Sequence, residues 1–151
     1  MSVAATANQD TKKLFKRVKL RGKKKLDWAI FKIDKKTKEI VPDLTSEDEK
    51  EKKGIDGLVK NLNDLQPRYA VFDYEFKTKD GRLTSKLYFI GFTPENANQV
   101  DRVVYAQALK PFRDSLHGIF PASFSEKNEI LKQFGGTPEP EDDEDEDEDF
   151  D

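Results

Sequence analysis

The side chains that could carry out bond chemistry are few and stand far apart. His117 is the single histidine and there is no cysteine, so a thiolate activated by an imidazole is excluded. The imidazole lies beside Gly118 at the end of a helical pattern, where a cation suits the helix dipole. The carboxylates fall in charge runs, without the spacing of a metal-binding loop or the context of a glycosidase pair, and no glycine-rich phosphate loop is present. The chain therefore reads as a binding protein with no catalytic residues, no metal and no cofactor.

What the sequence concentrates is charge. Residues 139–151 hold eleven carboxylates, leaving 27 basic against 19 acidic groups elsewhere, a surplus of eight. Nine bases crowd into one segment: Lys12, Lys13, Lys16, Arg17, Lys19, Arg21, Lys23, Lys24 and Lys25. A basic body with an acidic tail suits polyanionic partners. The cluster has three readings. It binds phosphoinositide headgroups, each nearby base contributing about 1 kcal/mol; it is a nuclear import signal; or it contacts the tail. Specific nucleic-acid binding is weaker, because the aromatics fall within strand patterns and not between exposed bases. The tail cannot bury enough apolar surface to fold, and reads either as a solubilising polyanion or as a competitor that covers basic surface on its own domain at low salt.

Elements that position these residues follow from apolar spacing. Residues 1–8 read as a flexible terminus. Asp10 or Thr11 caps a helix to about Val18, with Leu14, Phe15 and Val18 buried. Leu26–Ile33 is a strand, Asp34–Thr37 a turn, and Glu39–Val41 its hairpin partner, ended by Pro42. Ser46 and Glu49 resemble a capping box ahead of a helix over about 55–64, with Ile55, Leu58, Val59, Leu62 and Leu65 on its stripe. Arg68–Phe76 and Lys86–Thr93 are apolar at nearly every position, which predicts a sheet covered by helices on both faces. Asp80-Gly81 makes 77–84 a projecting hairpin loop. After Pro94, the positions Ala97, Val100, Val104, Ala108 and Phe112 predict a long helix with a core stripe, kinked near Pro111 and ended by Gly118. On its other side Arg102, Ala106, Leu109 and Arg113 share a face, an apolar strip between guanidinium groups that suits a helix-in-groove interface. Glu126–Phe134 forms a last helix before Gly135-Gly136. The result is one α/β domain over residues 9–136, a central mixed sheet flanked by helices on both faces, followed by a disordered acidic tail at 137–151. No run approaches the roughly eighteen apolar residues needed to span a bilayer. With no cysteine, the chain reads as soluble and intracellular.

The wording of the central segment resembles the actin-depolymerising factor (ADF)/cofilin family. That family reads Y-A-(I/V/L)-(Y/F)-D in one strand, S-K before a hydrophobic run and P-(D/E)-x-A in the next, and (K/R)-M-x-Y-A-S-S-K in the long helix. Here Tyr69–Asp73, then Ser85, Lys86, Pro94, Glu95 and Ala97, then Arg102, Tyr105 and Ala106 hold those positions. Phe15, Lys19 and Leu20 resemble the end of the first helix and Trp28–Ile33 the first strand. The likeness covers about residues 7–134, far more than one short motif. Departures are Val100, Val103 and Gln107-Ala108-Leu109 in the long helix, and Ser2 followed by Val3 where the family has S-G-V.

The resemblance implies a single ADF-homology (cofilin/gelsolin-like) domain that acts as a monomer in the cytoplasm and cytoskeleton, with a nuclear share. Its partners are actin monomer and filament, and its action is depolymerisation and severing. By this likeness the long helix enters the cleft between subdomains one and three of actin, with Arg102, Ala106, Leu109, Lys110 and Arg113 as contacts. A second, filament-binding surface joins Lys77, Lys79 and Arg82 on the hairpin to Glu126, Lys127, Glu129 and Lys132 on the last helix. Ser2 and Thr6 are candidate phosphorylation sites. The alternative is a coactosin-like or glia-maturation-factor-like relative that binds filament sides or branch junctions without strong depolymerisation.

Overall fold

The two long apolar runs are neighbouring antiparallel strands inside a six-stranded sheet. The computed structural model describes residues 5–19, 26–48 and 54–136. In chain order the elements are β1 (Thr6–Ala7), α1 (Gln9–Lys19), β2 (Trp28–Asp34), β3 (Glu39–Thr45), α2 (Gly54–Lys60), β4 (Arg68–Lys77), β5 (Leu83–Phe92), α3 (Gln99–Asp114), β6 (Phe120–Phe124) and α4 (Lys127–Gln133). The sheet order is β1-β3-β2-β4-β5-β6. The edge pairs β1–β3 and β5–β6 are parallel and the inner pairs antiparallel, so the sheet is mixed.

Near-continuous apolar character in β2, β4 and β5 has the cause the sequence suggests, because each strand buries both faces. On one side Phe31, Tyr69, Val71 and Phe89 pack under α1 and α3 through Phe15, Val18, Tyr105, Ala108 and Phe112. On the other side Trp28, Ile30, Ala70, Phe72 and Ile90 pack under α2 and α4 through Leu58, Ile130, Leu131 and Phe134. Helices α3 and α4 therefore lie on opposite faces of the sheet.

Several local expectations are corrected. Thr6 and Ala7, read as part of a loose terminus, pair with Glu39 and Ile40. The cap of α1 is Asn8, whose Oδ1 accepts the Thr11 N–H at 2.9 Å. Thr11 itself is buried and donates its hydroxyl to the Ile40 carbonyl at 2.7 Å. Ser46 accepts the Asp27 N–H at 2.9 Å and so ties a turn to β2, while Glu49, its expected capping partner, lies outside the described residues. Helix α2 ends at Lys60, because Asn61 donates its amide back to the Gly57 carbonyl and Asn63 accepts the Leu65 N–H, both short-range bonds that compete with further turns. Strand β6 falls in a segment to which the sequence reading assigns no element. Its Pro121 is tolerated at a sheet edge, where one side needs no donor. Helix α3 is continuous through Pro111 in its last turn and ends at Asp114, with Ser115 folding its hydroxyl onto the Phe112 carbonyl at 2.6 Å, one turn before Gly118.

Candidate functional site: the solvent face of helix α3 and the β4–β5 hairpin

Helix α3 starts where Asn98 accepts the N–H groups of Val100 and Asp101, at 2.8 and 3.4 Å, satisfying donors that the first turn leaves free. Its first turn is tied to the β2–β3 turn by Lys35 Nζ and Asp101 Oδ1 at 3.3 Å. Its core face is Tyr105, Ala108 and Phe112, with Val104 and Leu109 partly buried beside them. This rotation corrects the sequence reading in two places. Val100, expected in the core, is 68% exposed, and Val103 is 44% exposed. Leu109, expected as the apolar anchor of an interface, packs inward: its Cδ1 lies 3.2 Å from where a Cβ on Gly91 would stand. The apolar patch that faces solvent is therefore Val100, Val103 and Ala106.

Charge frames that patch. Arg102 and Arg113 are half-buried at its flank and Lys110 is exposed. Lys110 Nζ reaches Asp114 Oδ2 at 2.6 Å, and Arg113 Nε stands 3.6 Å from the other oxygen. The Lys110 hydrogen bond holds the Asp114 carboxyl below the ordinary carboxylate range. An exposed apolar centre with a polar rim on one rigid helix can seat in a groove on a partner. The signal available in the sequence was the departure from the family's wording at Val100 and Val103.

The second set of predicted residues divides between two elements on the other side of the fold. Strand pairing runs to Lys77 and resumes at Leu83, so the projecting loop is only 78–82. It is closed by Gly81 at φ 87°, by the Gly81 N–H on the Thr78 carbonyl at 3.0 Å, and by Asp80, which accepts from the Thr78 hydroxyl and pairs with Arg82 Nε at 3.1 Å. Lys77, Lys79 and Arg82 are exposed there. Glu126, just before α4, and Glu129 and Lys132 on it are exposed, whereas Lys127 is half-buried and paired with Asp64 at 3.2 Å. Phe134, which follows α4, joins the two, its ring 5.2 Å from that of Tyr74 and 4.9 Å from that of Tyr88 on the hairpin stem.

Of the basic cluster, Lys12, Lys13 and Lys16 are exposed on α1. Arg17 is committed to both carboxylate oxygens of Glu47, at 3.1 and 2.7 Å. Lys19 donates to the His117 carbonyl at 3.1 Å and stands over the Phe15 ring, which ties α1 to the loop after α3. Arg21, Lys23, Lys24 and Lys25 lie outside the described residues, as do Ser2 and the tail. Thr6 is exposed on β1. In an open groove at the end of β2, lined by residues including Lys32, Lys35, Arg68, Asp101 and Tyr105, Lys35 is paired with Asp101 and Arg68 with Asp43 at 3.0 Å. Among the described residues no three His, Cys, Asp or Glu side chains converge as metal ligands, and no helix is long and apolar enough to cross a membrane.

The family model for the cofilin/tropomyosin-type actin-binding proteins matches residues 4–133. An actin-depolymerizing factor of Vitis vinifera is 32% identical over 102 residues, 68% of this chain and 69% of the relative. In fold, the chain is similar to the crystal structure of Plasmodium berghei actin depolymerization factor 2, with TM-score 0.74, 23% identity, and coverage of 89% of this chain and 96% of that one. It is also similar to a coactosin from Entamoeba histolytica, with TM-score 0.71, 12% identity, and coverage of 88% and 91%. The chain belongs to the cofilin/tropomyosin-type actin-binding proteins.

Proposed function

We propose that this protein binds actin monomers and filament subunits through the solvent face of α3, and that binding promotes loss of subunits from filaments. The observation that carries the reading is the pair Val100 and Val103, exposed beside Ala106 on a helix flanked by Arg102, Arg113 and Lys110. The hairpin residues Lys77, Lys79 and Arg82, on a different part of the fold, supply a second contact; two contacts are what simultaneous engagement of neighbouring subunits requires. The action is differential binding and not bond chemistry: a protein that prefers one filament state shifts the filament toward it.

The test is filament co-sedimentation together with monomer binding, for wild type, Arg102→Ala and Val103→Asp, at low and high salt. Transfer of actin to the supernatant by wild type, and loss of monomer binding in both variants, supports the reading. Filament binding without monomer binding replaces it with a side-binding or branch-binding mode of the coactosin or glia-maturation-factor kind. The exposed lysines of α1 (Lys12, Lys13, Lys16) support a further contact with phosphoinositide headgroups, read by flotation with vesicles that contain or lack them.

A further inference from the structure

The stem of the β4–β5 hairpin carries an aromatic shelf on the side of the sheet that α2 and α4 cover only in part. Register places Tyr74 opposite Lys86, Phe72 opposite Tyr88, and Phe120 of β6 beside Tyr88, all on this one side. The Tyr74 and Phe76 rings stack at 5.4 Å and those of Tyr88 and Phe120 lie 5.8 Å apart. Above them the Lys86 ammonium stands 5.7 Å from the Phe76 ring centre and 5.0 Å from that of Phe120. Phe120 is 47% exposed, and Lys86 has no ion pair among the described residues. A cation held over two rings and facing water is a ready partner for a carboxylate.

The described chain ends beside this shelf. Phe134 closes the shelf's inner end against Tyr74 and Tyr88. Gly135, at φ 76°, then reverses the chain, and the Gly136 N–H bonds to the Leu131 carbonyl at 2.8 Å. Residues 137–151 follow, with eleven carboxylates and one aromatic, Phe150. Thirteen residues from Glu139 to Asp151 reach about 43 Å when extended, whereas the strand from Tyr88 to Arg82 spans only about 20 Å. The exposed basic residues of α1 lie on the layer that covers the opposite face of the sheet. A segment tethered at the shelf meets it at high effective concentration, while charges more than about 8 Å apart are screened at physiological salt.

We propose that residues 137–151 fold back in cis along this shelf. Their carboxylates engage Lys86 and, at the hairpin tip, Arg82 and Lys79; Phe150 packs on the exposed rings; the α1 cluster is not the tail's site. The docking stands independently of the actin reading. Its consequence rests on that reading: the tail would shield the hairpin residues assigned above to the second actin contact, and less so as salt rises.

The absence of cysteine allows one spin label, on Asp151→Cys in the full chain, with amide signals as the readout. At low salt the amides of Thr84–Tyr88 and Phe120–Ala122 should lose most of their intensity, and recover at high salt and in Lys86→Glu. Arg82→Glu is a second variant at the exposed tip that should weaken the effect, should Lys86→Glu unfold. Strongest losses at Lys12–Lys19, or none in the domain, would overturn the proposal without bearing on actin binding.

Discussion

The hydroxyl of Tyr105 accepts the main-chain N–H of Ile33 at 2.9 Å, across the place where β4 has not yet begun and β2 lacks a strand on that side. Pairing of β2 with β4 stops at Phe31 and Tyr69, so the Ile33 N–H lies beyond the end of that ladder. A side chain of α3 thus completes the sheet. In turn the Tyr69 hydroxyl donates to the Tyr105 carbonyl, and burial, with the neighbouring Tyr105 hydroxyl, pushes the Tyr69 pKa well up. The two bonds fix the rotation of α3 about its axis, and so determine which of its residues face solvent.

Tyr105→Phe should therefore lower stability by about 1–3 kcal/mol, the usual penalty for leaving a buried donor unpaired. Chemical denaturation of wild type and variant checks this. A midpoint unchanged within error would mean that the hydroxyl is dispensable and that Ile33 finds another acceptor.

Much of the fold was legible because β2, β4 and β5 announce themselves by unbroken apolar runs, and α1 and α4 by clear spacing or breaks. What was not legible depended on distant partners. Thr6–Ala7 and Phe120–Phe124 become strands because β3 and β5 offer free edges, and segments of two and five residues are too short for spacing alone to report. The rotation of α3 was misjudged for a related reason: Val100 fits a three-to-four stripe as well as Tyr105 does, and only the Ile33 bond and the space over Gly91 decide between them. The stripe through Val100 puts Leu109 on the surface and gives Val103 no place in an interface.

Val103→Asp should separate binding from folding. Its side chain is 44% exposed and outside the core layer of α3, so stability should change by no more than about 0.5 kcal/mol. Actin-monomer affinity should fall by about tenfold or more, equivalent to about 1.4 kcal/mol. Equal affinity at equal stability would remove the α3 face from the proposed function.

Acid should weaken the fold only below the ordinary carboxylate range. Hydrogen bonds hold Glu47 low through Arg17, Asp34 through the Lys36 and Thr37 amides, Asp80 through Thr78, and Asp114 through Lys110. A carboxyl whose folded pKa lies below its unfolded value of 3.8 or 4.5 stabilises above that value and loses the contribution as pH falls through the folded pKa. Denaturation midpoints should thus be flat from neutral pH to about pH 5 and decline below about pH 4. Glu47, Asp80 and Asp114 are exposed and Asp34 is half-buried, so the decline should be shallow and further reduced by salt.

The approach of Leu109 to Gly91 offers the sharpest test of where α3 lies. A Cβ at Gly91 would stand 3.2 Å from Leu109 Cδ1 and 3.6 Å from Ser123 Oγ, so in Gly91→Ala the leucine must give by a few tenths of an ångström, and the change should cost no more than about 1 kcal/mol, the low end for overpacking. Leu109→Ala should destabilise by roughly 1–2 kcal/mol, because the side chain leaves part of its buried surface unfilled. Combined, the added methyl occupies space that the leucine vacates, and the double variant should lose less than the sum by about 0.5–1 kcal/mol. If Leu109 were instead the solvent-facing anchor that its sequence position suggests, truncating it would leave stability unchanged and the two substitutions would add. The cycle therefore distinguishes the two rotations of α3 by denaturation alone, without reference to any partner.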